Sequence, residues 1–593
     1  IVEFYDYLEV HPDYKLPKYC STQDVARYNL AVVKAGERNG RLVVASGDIH
    51  YLHPGDVMYR EMIQDQSNEG CSRAPNLHFR TTTEMLEAFS YLGAKKAREI
   101  VVDNPLQIAG LIEGVCPFRT SVARYDQNVR DSLTLRRNVQ ARAKRLYSPR
   151  LPETVRARLY EELAWIRIRR HSSHFLVAAD LAIGAKEGQF PVGDYQYAGA
   201  SLVAYLAGIT AINPLPPHWR CSCGNSNFFT NSGMSGLELG SRYCPTCDTQ
   251  MIRDGHDLPF ETFDASWNND GFDFEIPISK MTYMQSFMEH TYGKDRIIGL
   301  GIINGRNPQV VRRMAETYFE ERNIKTAKTF LEKIIQNIKD VKCSPAQQSP
   351  SGVIVFDKDV DVHGLTPLQR PGNDCYSQEV ITHFDYRSLT GYIVKVNISE
   401  SDVLEALGIM EKMSGRPLGE IPYEDECTLQ LFSGRTRDKK TIVGLAGIPE
   451  FDVPKMAAVL AKIKIKRFRD IVRAYGLCRG VDLFFTRVGK PDKGHVQLKT
   501  IATARAMLAY QYAYYKVHHP TAFYAAFFQV YADEFDLATI FRGERAIRAE
   551  MKKYQRLKSR YVPREQRRQE VRGIALEMYR RGIVLEKSHC KNQ

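Results

Sequence analysis

Apolar positions along the chain follow two periods, and each change of period marks an element. Met85, Leu86, Phe89 and Leu92 recur at helical spacing and predict a helix that Thr82 or Thr83 caps. Residues 309–338 carry the clearest helical pattern, and the chain reads as helical again from Gly476 onward, with an aromatic-rich stretch over 510–531. Short runs of β type stand at Leu42-Val43-Val44-Ala45, Val353-Ile354-Val355-Phe356 and Tyr392-Ile393-Val394-Lys395-Val396. Residues 121–170 are helix-rich and basic. Within them, the alternation in Trp165-Ile166-Arg167-Ile168-Arg169 suits either a strand with one charged face or a helix end. Across 174–400 strands alternate with helices, as around a single sheet. Neither an internal repeat nor a low-complexity segment is present.

Length and composition make this a multi-domain chain of α/β and α+β class, since 593 residues that are 44% hydrophobic suffice for several cores without disulfide staples. The net charge of +13 suits a polyanionic partner such as DNA. The excess is concentrated toward the C-terminus, from Arg542 to Lys591, where basic residues such as Lys552, Lys553, Arg567, Arg568, Arg580 and Arg581 outnumber the acids. A solvated helical face would look the same. No run of about 18 apolar residues occurs, so no membrane span is expected. The opening Ile1, in place of Met, is what a fragment or a processed product has.

Twelve cysteines read as reduced thiols plus a metal site, which points to a cytoplasmic location. Cys221 and Cys223 precede a turn-forming stretch, and Cys244-Pro245-Thr246-Cys247 is a tight C-x-x-C. Two such pairs about 20 residues apart present four thiolates to one ion, and four thiolates leave no open position for water, so the expected zinc is structural. A weaker metal candidate is Asp48 with His50, two residues apart at the end of the first β run.

Several stretches resemble one family: Asn213-Pro214-Leu215-Pro216-Pro217-His218, the cysteine pairs, Asp254-Gly255-His256-Asp257-Leu258-Pro259-Phe260-Glu261-Thr262-Phe263, Thr382-His383-Phe384-Asp385, Gly447-Ile448-Pro449-Glu450-Phe451 and Lys516-Val517-His518-His519-Pro520. They look like the Gram-positive (PolC) type of family C DNA polymerase, the DNA polymerase III alpha subunit. The resemblance implies the C-terminal part of a PHP-like domain over 1–75, where the earlier His-rich motifs of that module are missing. It further implies a linker and helical thumb-like region over 76–173 and a polymerase-beta-like palm over 174–400 with a zinc knuckle inserted at 219–250. A helical fingers remnant with a basic C-terminal region occupies 401–593. DNA and other replication or assembly proteins are the implied partners.

The resemblance also assigns chemistry. Two-metal nucleotidyl transfer needs carboxylates clustered on adjacent strands. The matching positions are Asp273 and Glu275 in Phe272-Asp273-Phe274-Glu275-Ile276 and Asn397 in Val394-Lys395-Val396-Asn397-Ile398, so the third carboxylate is an amide. Magnesium, which demands near-ideal oxygen geometry, is poorly served by that set. Asp264, Asp270, Asp385 and Asp402 are the acids that would supply the missing ligand under a shifted register. The phosphate-gripping turn corresponds to 192–201, with Gly193, Gly199 and Ser201 as phosphate-binding candidates, but Asp194 stands there and the basic residue is gone. The family's C-x-x-C is C-x-C at the first cysteine pair, its His before Pro350 is Ser349, and most of its fingers are missing between about 485 and 500.

Three readings therefore stand. One is a polymerase-derived DNA-binding or structural subunit with impaired catalysis, another an active DNA-directed DNA polymerase, and the third a scaffold that no longer touches DNA. His518 and His519 before Pro520 read as a helix end, with Lys516 offered to a phosphate backbone.

Overall fold

The computed structural model describes residues 2–12, 22–64, 77–114, 122–194, 197–229, 234–266, 271–303, 305–341, 347–356, 361–389, 393–433, 437–438, 441–442, 444–481, 483, 493–555 and 563–585. Its contacts divide the chain into two units, 1–119 with 302–347 and 370–376, and the remainder.

In the first unit, strands Tyr7–Val10 and Leu42–Ala45 pair in parallel, joined through helix Thr22–Arg38. Val10, Val33, Val43, Met85, Phe89 and Ile100 close one core over them. The helix at 82–92 runs over Thr82–Ala88, and its cap is Thr81, one residue earlier than Thr82 or Thr83. Glu84 answers Thr81 in a capping box, and that reciprocal bonding selects the position. The helical stretch 309–338 is two helices, Pro308–Glu321 and Lys328–Ile338, because Asn323 turns left-handed at φ 53° and ends the first.

The second unit is built on a seven-stranded sheet. Its strands run in the order Leu368–Gln369, Ile381–Thr382, Ile297–Ile302, Gln347–Val355, Val394–Glu400, Phe272–Ile276, Gly193–Asp194. Phe272, Phe274 and Ile276 are buried while Asp273 and Glu275 between them are half-buried, so the period of two assigns one face to the core and the other to the acids. The apolar face packs on helix Ser172–Glu187, with the rings of Phe175 and Phe272 5.0 Å apart and edge to face. Trp165 to Ile168 form the end of helix Glu153–Ile168, whose buried residues Val155, Leu159, Glu162 and Ile166 keep helical spacing. Beyond the sheet, helices Asp402–Ser414, Phe468–Cys478, Lys493–His518 and Pro520–Tyr531 share a second core that includes Leu407, Ile471, Tyr510 and Phe523.

His518 ends its helix and Pro520 starts the next, as the sequence implies. Lys516 is not at the surface: it is fully buried, donates to the carbonyls of Gly444 and Ala446, and pairs with Glu577 at 2.7 Å. An ammonium enclosed by three acceptors holds the fold together and does not meet a phosphate. The C-terminal basic run is also partly internal. Arg572 is fully buried against Asp536, Arg568 pairs with Asp533, and Arg581 donates to the Lys516 carbonyl. Lys552, Lys553, Arg567 and Arg580 of that run stay exposed, and further exposed cations lie along helix Val122–Tyr147, at Arg130, Arg136, Arg137, Lys144 and Arg145.

Glu162 ties helix Glu153–Ile168 to the start of helix Leu202–Ala207. Its buried carboxylate accepts from Arg158, from Ser201 Oγ at 2.7 Å, and from the backbone N–H groups of Leu202 and Val203 at 2.9 Å each. Glu162→Ala leaves these donors facing one another and is expected to lower stability by about 3–5 kcal/mol. Urea unfolding followed by tryptophan fluorescence checks this. Glu153→Ala, which removes an exposed i,i+3 pair on the same helix, should leave the transition unchanged within error.

Candidate functional site

The acid site sits where two parallel strands run side by side. Pairing of Phe272–Ile276 with Val394–Glu400 places Asn397 opposite Asp273 and Ser399 opposite Glu275. Period two then sends Asp273, Glu275, Asn397 and Ser399 to one face. All three positions predicted from the sequence are therefore brought together. The Asn397 amide donates to Asp273 Oδ1 across the strands. Glu275 is drawn the other way, with Oε1 3.4 Å from the Arg505 guanidinium on the long helix Lys493–His518. Arg505 escaped sequence reasoning, because nothing local in the helix announces a partner 230 residues away.

The acids that a shifted register would offer are engaged elsewhere. Asp264 accepts from Trp165 Nε1 and pairs with Arg169, Asp385 pairs with Arg387, and Asp402 with Arg567. Asp270 and the side chain of Asp194 lie outside the described residues. Among the described residues, the four cysteines are the one set of three or more acidic, His or Cys groups close enough to share an ion.

The phosphate-loop candidates have identifiable neighbours. A Cβ on Gly193 would stand 3.1 Å from Glu275 Cβ and 3.2 Å from Leu404 Cδ1, and one on Gly199 would stand 3.0 Å from Ile212 Cδ1. Ser201 caps helix Leu202–Ala207 and gives its proton to Glu162. That carboxylate occupies the helix N-terminus, where a bound anion would sit.

The four cysteines converge on one point. Cys221 and Cys223 flank a tight turn closed by Gly224 N to the Cys221 carbonyl at 2.9 Å, and Cys244 and Cys247 flank a second turn closed by Asp248 N to the Cys244 carbonyl at 2.9 Å. Their sulfurs all lie within 4.8 Å of one another, with Cys221 and Cys247 at 3.3 Å and Cys223 and Cys244 at 3.5 Å. Sulfurs around a tetrahedral zinc at ~2.3 Å stand roughly 3.8 Å apart, so this set could hold a metal such as zinc with shifts of a few tenths of an ångström. The C-x-C spacing is therefore no obstacle. The Thr249 hydroxyl lies 2.8 Å from Cys247 Sγ and 3.3 Å from Cys221 Sγ. With backbone bonds from the turn, it pulls the Cys221 thiol down to about 6. Asp48 and His50, by contrast, form only a two-residue contact at 3.2 Å, half exposed.

A buried polar network anchors the cysteine loops. They leave the three-stranded sheet Ser226–Phe228, His218–Arg220, Ile252–Asp254. The His218 ring meets Tyr147 Oη at 3.2 Å and the Pro216 carbonyl at 2.7 Å, while Asp254 accepts from Tyr205 Oη and Arg220. Gly255, at φ +93°, leaves room that a Cβ would fill at 2.3 Å from the Pro216 carbonyl, so the two motifs around the cysteines are packed face to face. Lys499 Nζ donates to the Asp257 carbonyl.

A chain with these features is similar to a bacterial replicase subunit. Residues 133–348 match the bacterial DNA polymerase III alpha NTPase domain, and residues 404–488 match the finger domain of the same subunit. The finger match ends at 488 and lies within the 401–593 region that the resemblance assigns to a fingers remnant. Similar proteins include DNA polymerase III PolC-type from Bacillus subtilis, 30% identical over 99% of this chain and 47% of the relative. The enzyme of the same name from Caldanaerobacter subterraneus is 29% identical over 98% and 48%, and that from Clostridium perfringens 28% identical over 98% and 46%. The chain resembles PolC-type DNA polymerase III over nearly its whole length. It spans about half the length of these relatives. The alignment with the Bacillus subtilis protein runs over 679 residues against 593 in this chain, so the relative carries segments that this chain lacks.

Burial places a pH response beside the cysteine loops. His256 is enclosed with its Nδ1 3.1 Å from Ser235 Oγ, and desolvation pushes it down to about 4 from 6.5. The folded state thus binds the proton less readily than the unfolded chain, so stability is complete above pH 6.5 and falls as pH drops toward 4. The loss amounts to roughly 3 kcal/mol at most. His256→Asn should flatten the pH 4–6.5 limb of a denaturation-against-pH curve, and an unchanged limb would rule His256 out as its source.

Proposed function

We propose that this chain is a DNA-associated member of the PolC-type family that has lost, or nearly lost, nucleotidyl transfer and serves as a DNA-binding or structural subunit. The single observation that carries the reading is the Asn397 amide donating to Asp273 at the position of a third carboxylate. Two dications held a few ångström apart need anionic oxygens from both strands. The donor set here is one aspartate already accepting from an amide, one glutamate already paired with a guanidinium, and one neutral carboxamide. Magnesium does not fit that set. Glu162 at the N-terminus of helix Leu202–Ala207 supports the same conclusion for the triphosphate, since the donors of that turn are already used.

The four-part organisation proposed from the sequence, PHP-like, thumb-like, palm-like and fingers-type, goes with this reading. Zinc at Cys221, Cys223, Cys244 and Cys247 is structural in it, tying the two loops together. Exposed cations on helix Val122–Tyr147 supply the phosphate contacts. The alternative, an active DNA-directed DNA polymerase, is favoured by the names of the relatives and by the finger match.

Primer extension with magnesium or manganese separates the two: no template-dependent product is expected, whereas robust extension abolished by Asp273→Ala would overturn the proposal. Duplex DNA binding by fluorescence anisotropy should weaken at least tenfold between 50 and 200 mM salt, as for a protein neutralising several phosphates. No binding even at low salt would favour a scaffold. For the metal, mass spectrometry of the native protein should find one zinc per chain. Cys223→Ser should abolish it, and a metal-free native protein that takes up no zinc would exclude the assignment.

A further inference from the structure

We infer that Arg505 is a built-in replacement for the divalent cation, so that the acid site is closed by two independent devices: the Asn397 amide on Asp273 and the Arg505 guanidinium on Glu275. The inference deepens the proposed loss of nucleotidyl transfer and rests on it. It concerns what occupies the carboxylates.

The geometry is specific. Glu275 stands between the backbone of Gly193, where even a Cβ would come within 3.2 Å of its Oε2, and the guanidinium of Arg505 at 3.4 Å from Oε1. Both side chains are about one-fifth exposed. The helix that carries Arg505 is held by fully buried small residues on either side of it, Ala502, Ala506 and Ala509. A guanidinium is charged at every accessible pH and is planar, so it stays beside a carboxylate as a fixed cation. The extra methylene of glutamate is what carries the carboxylate toward the helix. An aspartate at 275 would end short of it.

Charge balance explains why both devices are present. Asp273 and Glu275 side by side on one strand repel each other unless a cation or a hydrogen-bond donor answers each. In this chain an amide answers one and a guanidinium the other, so the pair is stable with no metal at all. A dication arriving at Glu275 would meet the positive charge of Arg505. Restoring the third carboxylate alone therefore leaves the site closed.

The test is Mn2+ binding, followed by electron paramagnetic resonance on the zinc-loaded full chain, since Mn2+ prefers carboxylates to thiolates. Wild type, Asn397→Asp and Arg505→Leu should each bind Mn2+ at least 100-fold more weakly than the double variant Asn397→Asp/Arg505→Leu. Asn397→Asp/Arg505→Lys, which keeps the charge, should remain closed. Should the double variant fail to fold by circular dichroism, Arg505→Gln replaces Arg505→Leu in the same comparison. If Asn397→Asp alone binds Mn2+ as tightly as the double variant, Arg505 is not a cation surrogate, while the proposed loss of activity in the natural chain stands. If the natural chain itself binds Mn2+ tightly and Asp273→Asn abolishes it, both fall.

Discussion

The register between strands Phe272–Ile276 and Val394–Glu400 is the constraint on which the rest of the structure depends. A slip of strand Phe272–Ile276 by one residue would send Asp273 and Glu275 into the apolar layer under the sheet, bring Phe272 and Phe274 to the opposite face and part Asp273 from Asn397. That layer, with Phe175, Leu181 and Met284 packed on the buried strand positions, leaves no alternative pairing. The polar face is thus fixed by the hydrophobic face. The meeting of Asn397 with Asp273 is a consequence of packing, whatever chemistry the face once supported.

Scaffold and chemistry have separate supports in this molecule. The cysteine loops are held by Tyr147, Asn213, His218 and Asp254, buried groups whose bonds close on one another and ask nothing of a substrate. Glu162 similarly satisfies the first turn of helix Leu202–Ala207 from within. A fold whose orphan donors are met by its own side chains stays ordered when its substrate contacts change. That separation explains how 30% identity with a PolC-type enzyme extends over nearly the whole chain while an amide stands in the acid site.

Much of this was legible in the sequence because it is local. Alternation of Phe and acid over 272–276 and cysteine spacing each need only a few neighbouring residues, and the structure has a strand and a cluster of four cysteines there. The helix cap is Thr81 and not Thr82 or Thr83, because three consecutive threonines offer equivalent hydroxyls and only the spacing to Glu84 selects the first. The break at Asn323 was missed because its left-handed turn leaves the hydrophobic pattern on both sides intact. Lys516 and Arg505 were illegible for another reason. A buried cation is assigned by partners at a distance in sequence, Glu577 and Glu275, and neither the helix period nor the charge run identifies them.

Charge placement then distinguishes a silent site from an empty one. Two carboxylates stripped of their metal, and with nothing in exchange, would destabilise the sheet by mutual repulsion. Here the site is electrostatically complete: Asp273 accepts from an amide and Glu275 faces a fixed cation. An arriving ion competes with those partners at Asp273 Oδ1 and Glu275 Oε1, and its affinity falls by the strength of whatever it displaces. The loss of one charge at Asn397 and the presence of one at Arg505 act in the same direction on the same pair of acids. On the proposed reading, together they turn a surface that would gather cations into one with little demand for them, while the packing beneath it stays as it is.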